Sequence, residues 1–579
     1  MKKRGILLLA VALILALLAG CTTTPTTAGS TTTAATTTAA GTTAATTTAA
    51  TSETELQVID ITALIPESAT EFLKADSTTY KKLQEILLDK FKINYSINTA
   101  MATEMATTVN MLFASKQMPD IVDHSLSASD MDNLFRQGLI LPLNDLIDAN
   151  APTVKQTFEE NPLFYVAHGN SDGEILRLPS NFTFNPQHRI RMLHINLVWL
   201  DKLSLPIPET TEAFYDTLKA FKDNDMNNDG KNNEVLTAYN TPSLGDPIAP
   251  AFGAKWWWNA SSSYYYDADG TIYHEFVQPS ALEFLTYMNK LYEEGLLDND
   301  YTGQTTEAYN EKMYTGRIAA FADHFWGSAV ASTAARANGI DDAEYIQVPP
   351  LVTDIGNQKQ VYRRDATGYG GWMITSNCAY PERAINIAEF GYTNEGSQIV
   401  YYGEASPGGK YYRDPTAEEI ADVGLEPPVY LMQYTEEGQK RHFDESLSVF
   451  WSKEGFNASL IPFQLVSRDA SALVWSNYPN RGKYRLAEKD HILSVLNKGI
   501  NEYAIDAIRF MTATPEQNSV LEEKAELFVY MDEMIDKFVT GNEPLSNWDA
   551  YVAKCNELGL AEVLEVMQAR YEAYLAVVS

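Results

Sequence analysis

The chain has 579 residues, 45% of them hydrophobic, and 76 acidic against 43 basic side chains give a formal charge of -33. That balance argues against nucleic acid or an anionic membrane surface as a partner, while leaving room for an anion held in a local basic cleft. The length exceeds one ordinary core and implies two or more domains or lobes, and no short-period internal repeat is present.

Lys2, Lys3 and Arg4 open the chain, and an uncharged apolar run follows over 5–20, which is the layout of an export signal. The run is about 16 residues, short of the roughly 20 that a spanning helix needs. Its end, Leu17, Leu18, Ala19, Gly20 and Cys21, resembles the lipobox of bacterial lipoproteins, in which the cysteine thiol carries a palmitate-type diacylglyceryl group. Two acyl chains hold a protein at a membrane where one holds it only marginally. The resemblance implies a signal peptide over 1–20 and a lipid anchor on Cys21, at the outer face of the cytoplasmic membrane. Residues 22–51 are almost wholly Thr and Ala, with no apolar periodicity to bury, so 21–52 is expected to be a lipidated cysteine and a disordered leash. Beyond Cys21 only Cys378 and Cys555 remain, and they are expected as buried free thiols rather than a pair.

From there strands and helices alternate. Residues 56–64 alternate apolar and polar as a first strand. Tyr80, Leu83, Ile86, Leu87 and Phe91 fall on one face of a helix over 77–91. A strand over 93–98, a helix over 104–114, a short buried strand over 119–122 and a helix over 131–140 closed by Gly138 follow. This order predicts a mostly parallel α/β sheet with its ligand beyond the carboxyl ends of the strands. Gly169, Asn170, Ser171, Asp172 and Gly173 match a hydrolase nucleophile pattern. That pattern needs a strand running into a helix, and 165–168 and 174–178 read instead as two strands around a hairpin tip.

Pro119, Asp120, Ile121 and Val122, followed by Gln137 to Leu143, resemble the extracellular solute-binding proteins of ABC importers, in the carbohydrate-binding group that includes maltose- and alginate-oligosaccharide-binding proteins. Further matches keep their order along the chain: His194 to Asn196 with Ile207 to Thr210, Leu291 to Leu297, Gly316 to Phe321, Pro381 to Ala384 with Asn394 to Gly396, and Phe538 to Gly541 with Leu558 to Leu560. The resemblance implies a two-lobed periplasmic-binding-protein-like fold with hinge crossovers and extra C-terminal helices. It places lobe one at 53–185 plus 317–365 and lobe two at 186–316 plus 366–579.

One local motif is sharp. Asp225, Asn227 and Asp229 put oxygen side chains at alternate positions, Gly230 allows the sharp turn, and the Lys231 carbonyl and Asn233 follow, as a cation of calcium size requires. The twelfth position is Leu236 and the carboxylate comes early, at Glu234. The same residues match the calcium loop of alginate-oligosaccharide-binding proteins, which implies a structural calcium pinning a surface loop.

Sugars offer apolar faces to aromatic rings and hydroxyls to planar polar groups, and the chain has 32 Tyr and 9 Trp. Position at strand ends selects Asp323, Asp123 and His124, and Glu67. The resemblance to maltose-type binding proteins, which place a stacking aromatic at the turn after 318–321, implies Trp326. Trp372 stands beside Gly370 and Gly371, where the chain is expected to return to lobe two. Trp257, Arg364 and Trp451 complete the candidate ligand set. No organic cofactor is expected and no catalytic residue is singled out. No Walker A sequence is present, so an ABC permease and a separate ATPase are the implied partners of a receptor expected to act as a monomer. A surface-tethered glycosidase or lyase, which would need a placed acid and base, and a peptide receptor on the same fold are the alternatives.

Overall fold

The computed structural model describes residues 56–67, 74–182, 190–238, 244–256 and 259–324. It describes most of 327–402 apart from 354–360, 364–366, 369 and scattered positions between 329 and 342, then 412–413, 433–434, 460–464 and 503–578. The signal, Cys21, the Thr/Ala segment, Trp257, Trp326, Arg364 and Trp451 lie outside the described residues.

Local chemistry sets the first elements. The Ser77 hydroxyl accepts from the Tyr80 amide at 3.1 Å, satisfying one of the donors that a helix start leaves open. Thr78–Phe91 then buries Tyr80, Leu83 and Leu87 along one face and stops where Lys92 turns left-handed at φ 52°. The strand after it pairs in parallel with the strand before it, Ile59 opposite Ile93 and Glu67 opposite Met101, as a crossover helix requires.

Eight strands form two sheets: β1 (Ile59–Glu67), β2 (Ile93–Met101), β3 (Ile121–Asp123), β4 (Arg191–Asn196), β5 (Val235–Ala238), β6 (Ile318–His324), β7 (Tyr345–Gln347) and β8 (Trp372–Ile374). Sheet one has the order β8-β3-β1-β2, with β8 antiparallel on one edge. Sheet two has the order β7-β4-β6-β5, with β5 parallel to β6 and β4 antiparallel to both of its neighbours. Each sheet is covered on both faces. Ile61, Ala63 and Ile65 pack with Leu83, Phe158 and Ile385 on one side of sheet one, and Leu64, Val122 and Met373 pack with Met105 and Phe113 on the other. In sheet two, Leu193, Ile195 and Ala320 meet Phe214 and Leu285, while Phe321 and Tyr345 meet Tyr309 and Met313. Alternate residues of a strand feed opposite cores, as the pleat dictates. The helices Ala525–Thr540, Trp548–Glu557 and Leu560–Val578 join the sheet-two core through Leu527, Phe538, Tyr551 and Val563.

Among the described residues the chain changes from one sheet's core to the other's between 182 and 190, between 352 and 372, and between 461 and 503. Asn181–Phe182 pairs with Phe463–Gln464, and Val361–Arg363 with Ala504–Asp506.

Strand pairing groups the chain differently from the expected segments. Residues 317–365, expected in lobe one, supply β6 and β7 to sheet two, where Arg191 faces His324 and Asn196 faces Tyr345. Residues 372–402, expected in lobe two, supply β8 to sheet one and pack Ile385, Phe390 and Val400 into its core. An apolar run such as 318–321 suits either sheet, and only the partner strand decides. Residues 165–168 are not a strand but the end of the helix Leu163–His168, and Gly169 bridges Ile175 across a turn. Ser171 therefore sits neither at a strand end nor before a helix. Cys378 and Cys555 are free and buried in separate cores, and burial pushes their thiols up to about 12 and about 11.

Candidate functional site

The parallel strands of sheet one point their carboxyl ends, Glu67 and Asp123, at one edge, where both side chains are buried. The Ser180 hydroxyl donates to the Asp123 carboxylate. The Gly371 amide lies 3.2 Å from Ser180 Oγ and 3.4 Å from Asp123 Oδ1, and the His124 amide donates to the Gly371 carbonyl at 3.1 Å. Three segments of chain are thus tied at one point, where two crossings leave sheet one. The tie needs glycine: Gly370 has φ +97°, and a Cβ on it would strike Ser180, while one on Gly371 would strike the His124 carbonyl.

Buried cations and dipoles support this tie. Arg177 donates to the carbonyls of Leu126 and Ala167 at 2.9 and 3.2 Å, and His168 Nε2 donates to the Thr367 carbonyl at 2.8 Å. Burial, with the Arg177 charge adding to it, holds His168 down at about 3, and burial alone lowers Arg177 to about 10. His168 is therefore a neutral donor at any physiological pH. Burial also lowers His124.

On sheet two the matching edge carries Asp323, His324 and Arg191, since Arg191 opens β4 opposite His324. Asp323 Oδ1 accepts from the His324 amide at 2.7 Å and from His324 Nδ1 at 3.2 Å. Burial works to raise the Asp323 carboxyl, but the bonds from His324 and the nearby imidazoles outweigh it and leave the group below its ordinary value. His194, buried and stacked on Phe321 with ring centroids 4.7 Å apart, donates through Nε2 to the carbonyls of Asp323 and His324 at 3.3 and 2.9 Å. Arg191 and Asp246, both buried, face each other at 3.6 Å.

The crossing between 182 and 190 starts beside Ser180 and ends at Arg191, so no more than about 40 Å of chain separates the two edges. Glu67, Asp123 and His124 on one sheet, and Asp323 and His324 on the other, therefore flank the same crossings. Trp372 does not join them: it is fully buried among Phe164, Phe182 and Tyr392 in the sheet-one core, so its ring is packing rather than a surface for a ligand. Trp256 likewise stacks on Phe276 at 4.1 Å within the sheet-two core. Sequence reasoning missed Ser180, Arg177, Arg191, His194 and Asp246. A signal existed for two of them, because Arg191 and His194 are ionisable positions inside an otherwise apolar buried strand.

The acidic loop follows the helix Thr211–Asp223. Asp225 and Asn228 are left-handed at φ 44° and 57°, and Gly230 at φ 80°, which curls the loop. Asp225 accepts from the amides of Asp229 and Gly230 at 3.1 and 3.0 Å, and Asp229 from the Lys231 amide at 2.9 Å and from Asn233 Nδ2 at 3.0 Å. Glu234 is buried. Its Oε1 accepts from the Asn227 amide at 3.2 Å, its Oε2 has no partner among the described residues, and burial raises its carboxyl above the ordinary value. Among the described residues no three Asp, Glu, His or Cys side chains gather as a metal cluster. The loop's donors are instead mixed, carboxylate with amide and carbonyl oxygen, and a buried carboxylate oxygen lacking a partner is what a hard cation satisfies. The residues fit calcium.

No protein-family model matches the chain. It is 22% identical to the fructooligosaccharide ABC transporter substrate-binding protein FusA of Streptococcus pneumoniae, over 91% of this chain and 94% of that one. It is 28% identical to lipoprotein LipO of Bacillus subtilis over 131 residues, 22% of this chain and 25% of LipO. Among solved structures it matches alginate-binding protein AlgQ2 without calcium ion at TM-score 0.66 and 19% identity, covering 89% of this chain and 98% of AlgQ2. It also matches FusA in complex with kestose at TM-score 0.66 and 18% identity, covering 90% and 100%, and a FusA EF-hand mutant in complex with fructo-nystose aligns equally well, at TM-score 0.66 and 17% identity. The chain thus shares, over about 90% of its length, the α/β fold of these solute-binding protein structures.

Proposed function

We propose that the chain is a lipid-anchored receptor that encloses an oligosaccharide between two lobes and passes it, unchanged, to an ABC permease driven by a separate ATPase. The observation that carries this reading is the correspondence to FusA over 91% of the chain, together with two sheets whose carboxyl edges flank shared crossings. One lobe would comprise 56–182 with 372–402, the other 190–352 with 503–578. Glu67, Asp123 and His124 on one side, and Asp323 with Trp326 and Trp257 on the other, would meet the sugar, while the Asp123, Ser180 and Gly371 tie acts as a fixed pivot. Arg364 and Trp451 remain candidates outside the described residues.

Ligand contacts to both lobes stabilise the closed form over the open one, so binding is read as closure. The loop of Asp225, Asn227, Asp229, Lys231, Asn233 and Glu234 would hold a structural calcium, and Cys21 would carry the lipid, in keeping with the likeness to a lipoprotein. Among the described residues no helix is long and apolar enough to cross a membrane. Small-angle scattering of the full chain, with kestose, nystose and a panel of neutral and acidic oligosaccharides, tests the reading. At least one sugar should shrink the radius of gyration and be recovered intact. Absence of compaction with every sugar, or release of shorter products, would refute it.

A further inference from the structure

A cavity of about 230 Å³ opens in the sheet-two lobe, lined by Lys255, Tyr264, Tyr265, Arg509, Phe510 and Arg570 among others. Among the described residues three cations line it and no carboxylate does, in a chain whose charge is -33. Two of those cations are built in. Arg570 donates through Nε to the Met511 carbonyl at 2.8 Å, places Nη1 3.2 Å from Met567 Sδ, and lies over the Phe510 ring at 5.6 Å. Among the described residues none of its hydrogen bonds uses Nη2. Lys255 holds its ammonium over the Tyr265 ring at 4.0 Å and near the Tyr273 ring at 5.7 Å. Neither makes an ion pair with a described residue, although Glu275 and Asp267 act on Lys255 from a distance. Burial lowers Arg570 to about 10 and Lys255 below its ordinary value.

An independent feature points the same way. Tyr264 lines this cavity, and its hydroxyl, near enough to Arg570 to feel its charge, is closed off from solvent and has no hydrogen-bond partner among the described residues. A buried hydroxyl without a partner costs on the order of 1–3 kcal/mol unless something accepts from it. An oxyanion bound between Arg570 and Lys255 would accept a hydrogen bond from that hydroxyl and pair with both cations.

We propose that this cavity binds a carboxylate carried on a single sugar ring, a uronic-acid residue, through Arg570, Lys255 and the Tyr264 hydroxyl, with Tyr265 and Phe510 flanking the ring. The size fits one ring rather than a chain, since it lies below the roughly 300 Å³ at which ordinary ligand pockets begin. The choice of a sugar acid rests on the carbohydrate reading above, whereas the demand for an anion follows from the cavity alone.

Calorimetry on the full chain at low salt tests the proposal with glucuronate, glucose and inorganic phosphate as probes. Glucuronate should bind and glucose should not. Lys255→Gln and Tyr264→Phe should each weaken glucuronate by about tenfold, the loss expected for one hydrogen bond to a charged group. Neither variant disturbs a backbone anchor, as a change at Arg570 would. Equal binding of glucose, or glucuronate binding that ignores both variants, would overturn the site. Phosphate binding as tightly as glucuronate, and lost in the same variants, would overturn the sugar acid in favour of a bare oxyanion. Compaction with an oligosaccharide that persists while glucuronate fails would defeat this inference and leave the receptor reading standing.

Discussion

At the scale of residues, the tie between Asp123, Ser180 and Gly371 determines where the crossings leave sheet one. Gly370→Ala combines φ +97° with a clash against Ser180, whereas Gly138 is also left-handed at φ +68° but has open space where a Cβ would lie. Gly138→Ala should cost about 1 kcal/mol, the backbone penalty alone. Gly370→Ala should add overpacking of about 1–3 kcal/mol to that penalty. Urea midpoints of the two variants separate the terms, and equal losses would show that Ser180 moves aside freely. Asp123 and His124 were legible in the sequence because a short apolar strand announces its own end. Ser180 was not, because its partner is 57 residues away and nothing local marks the contact.

At the scale of elements, the acidic loop was legible almost whole, since its oxygen atoms come from consecutive residues and one glycine. What the sequence did not convey is that Glu234 is buried with Oε2 unpartnered. A calcium ion held there would have a specific energetic role, because it would relieve a carboxylate that burial otherwise pushes toward its protonated form. Calcium at 100 times its dissociation constant should stabilise the chelated protein by about 2.7 kcal/mol, seen as a higher melting temperature. Asp225→Ala should abolish the increase. Glu234→Gln should reduce it too, while leaving the metal-free protein no less stable, because the amide removes the cost of a buried charge. An unchanged melting temperature on adding calcium to the chelated protein would dismiss the metal.

At the scale of the molecule, the alternation of strands and helices revealed the α/β class, but not which lobe owns 317–365 or 372–402. Lobe membership is decided by pairings such as Arg191 with His324 and Trp372 with Asp123, which join residues roughly 130 and roughly 250 positions apart, beyond the reach of any local pattern. The same distant packing sets the response to acid. His168, His194 and His274 are buried, each donates to a backbone carbonyl, and burial lowers them from 6.5 to about 3, about 4 and about 4. Their folded values are depressed, so the stability they contribute is present above pH 6.5 and lost as pH falls toward those values. Glu275 works the other way: burial raises it to about 7 from 4.5, so its share is present below 4.5 and lost as pH rises through 7. Between pH 4.5 and 6.5 these four groups should therefore take up three protons at the imidazoles and release one at Glu275 on unfolding, a contribution of about two net, or about 3 kcal/mol per pH unit. Chemical-denaturation midpoints across that range should fall steadily with acid. His194→Gln, whose amide still donates to the carbonyls at the end of β6, should lower the slope by about one proton's worth, roughly 1.4 kcal/mol per pH unit. A slope that this variant leaves unchanged would mean that His194 is already charged in the folded protein, and the edge of sheet two would then carry a cation where a neutral donor is argued above.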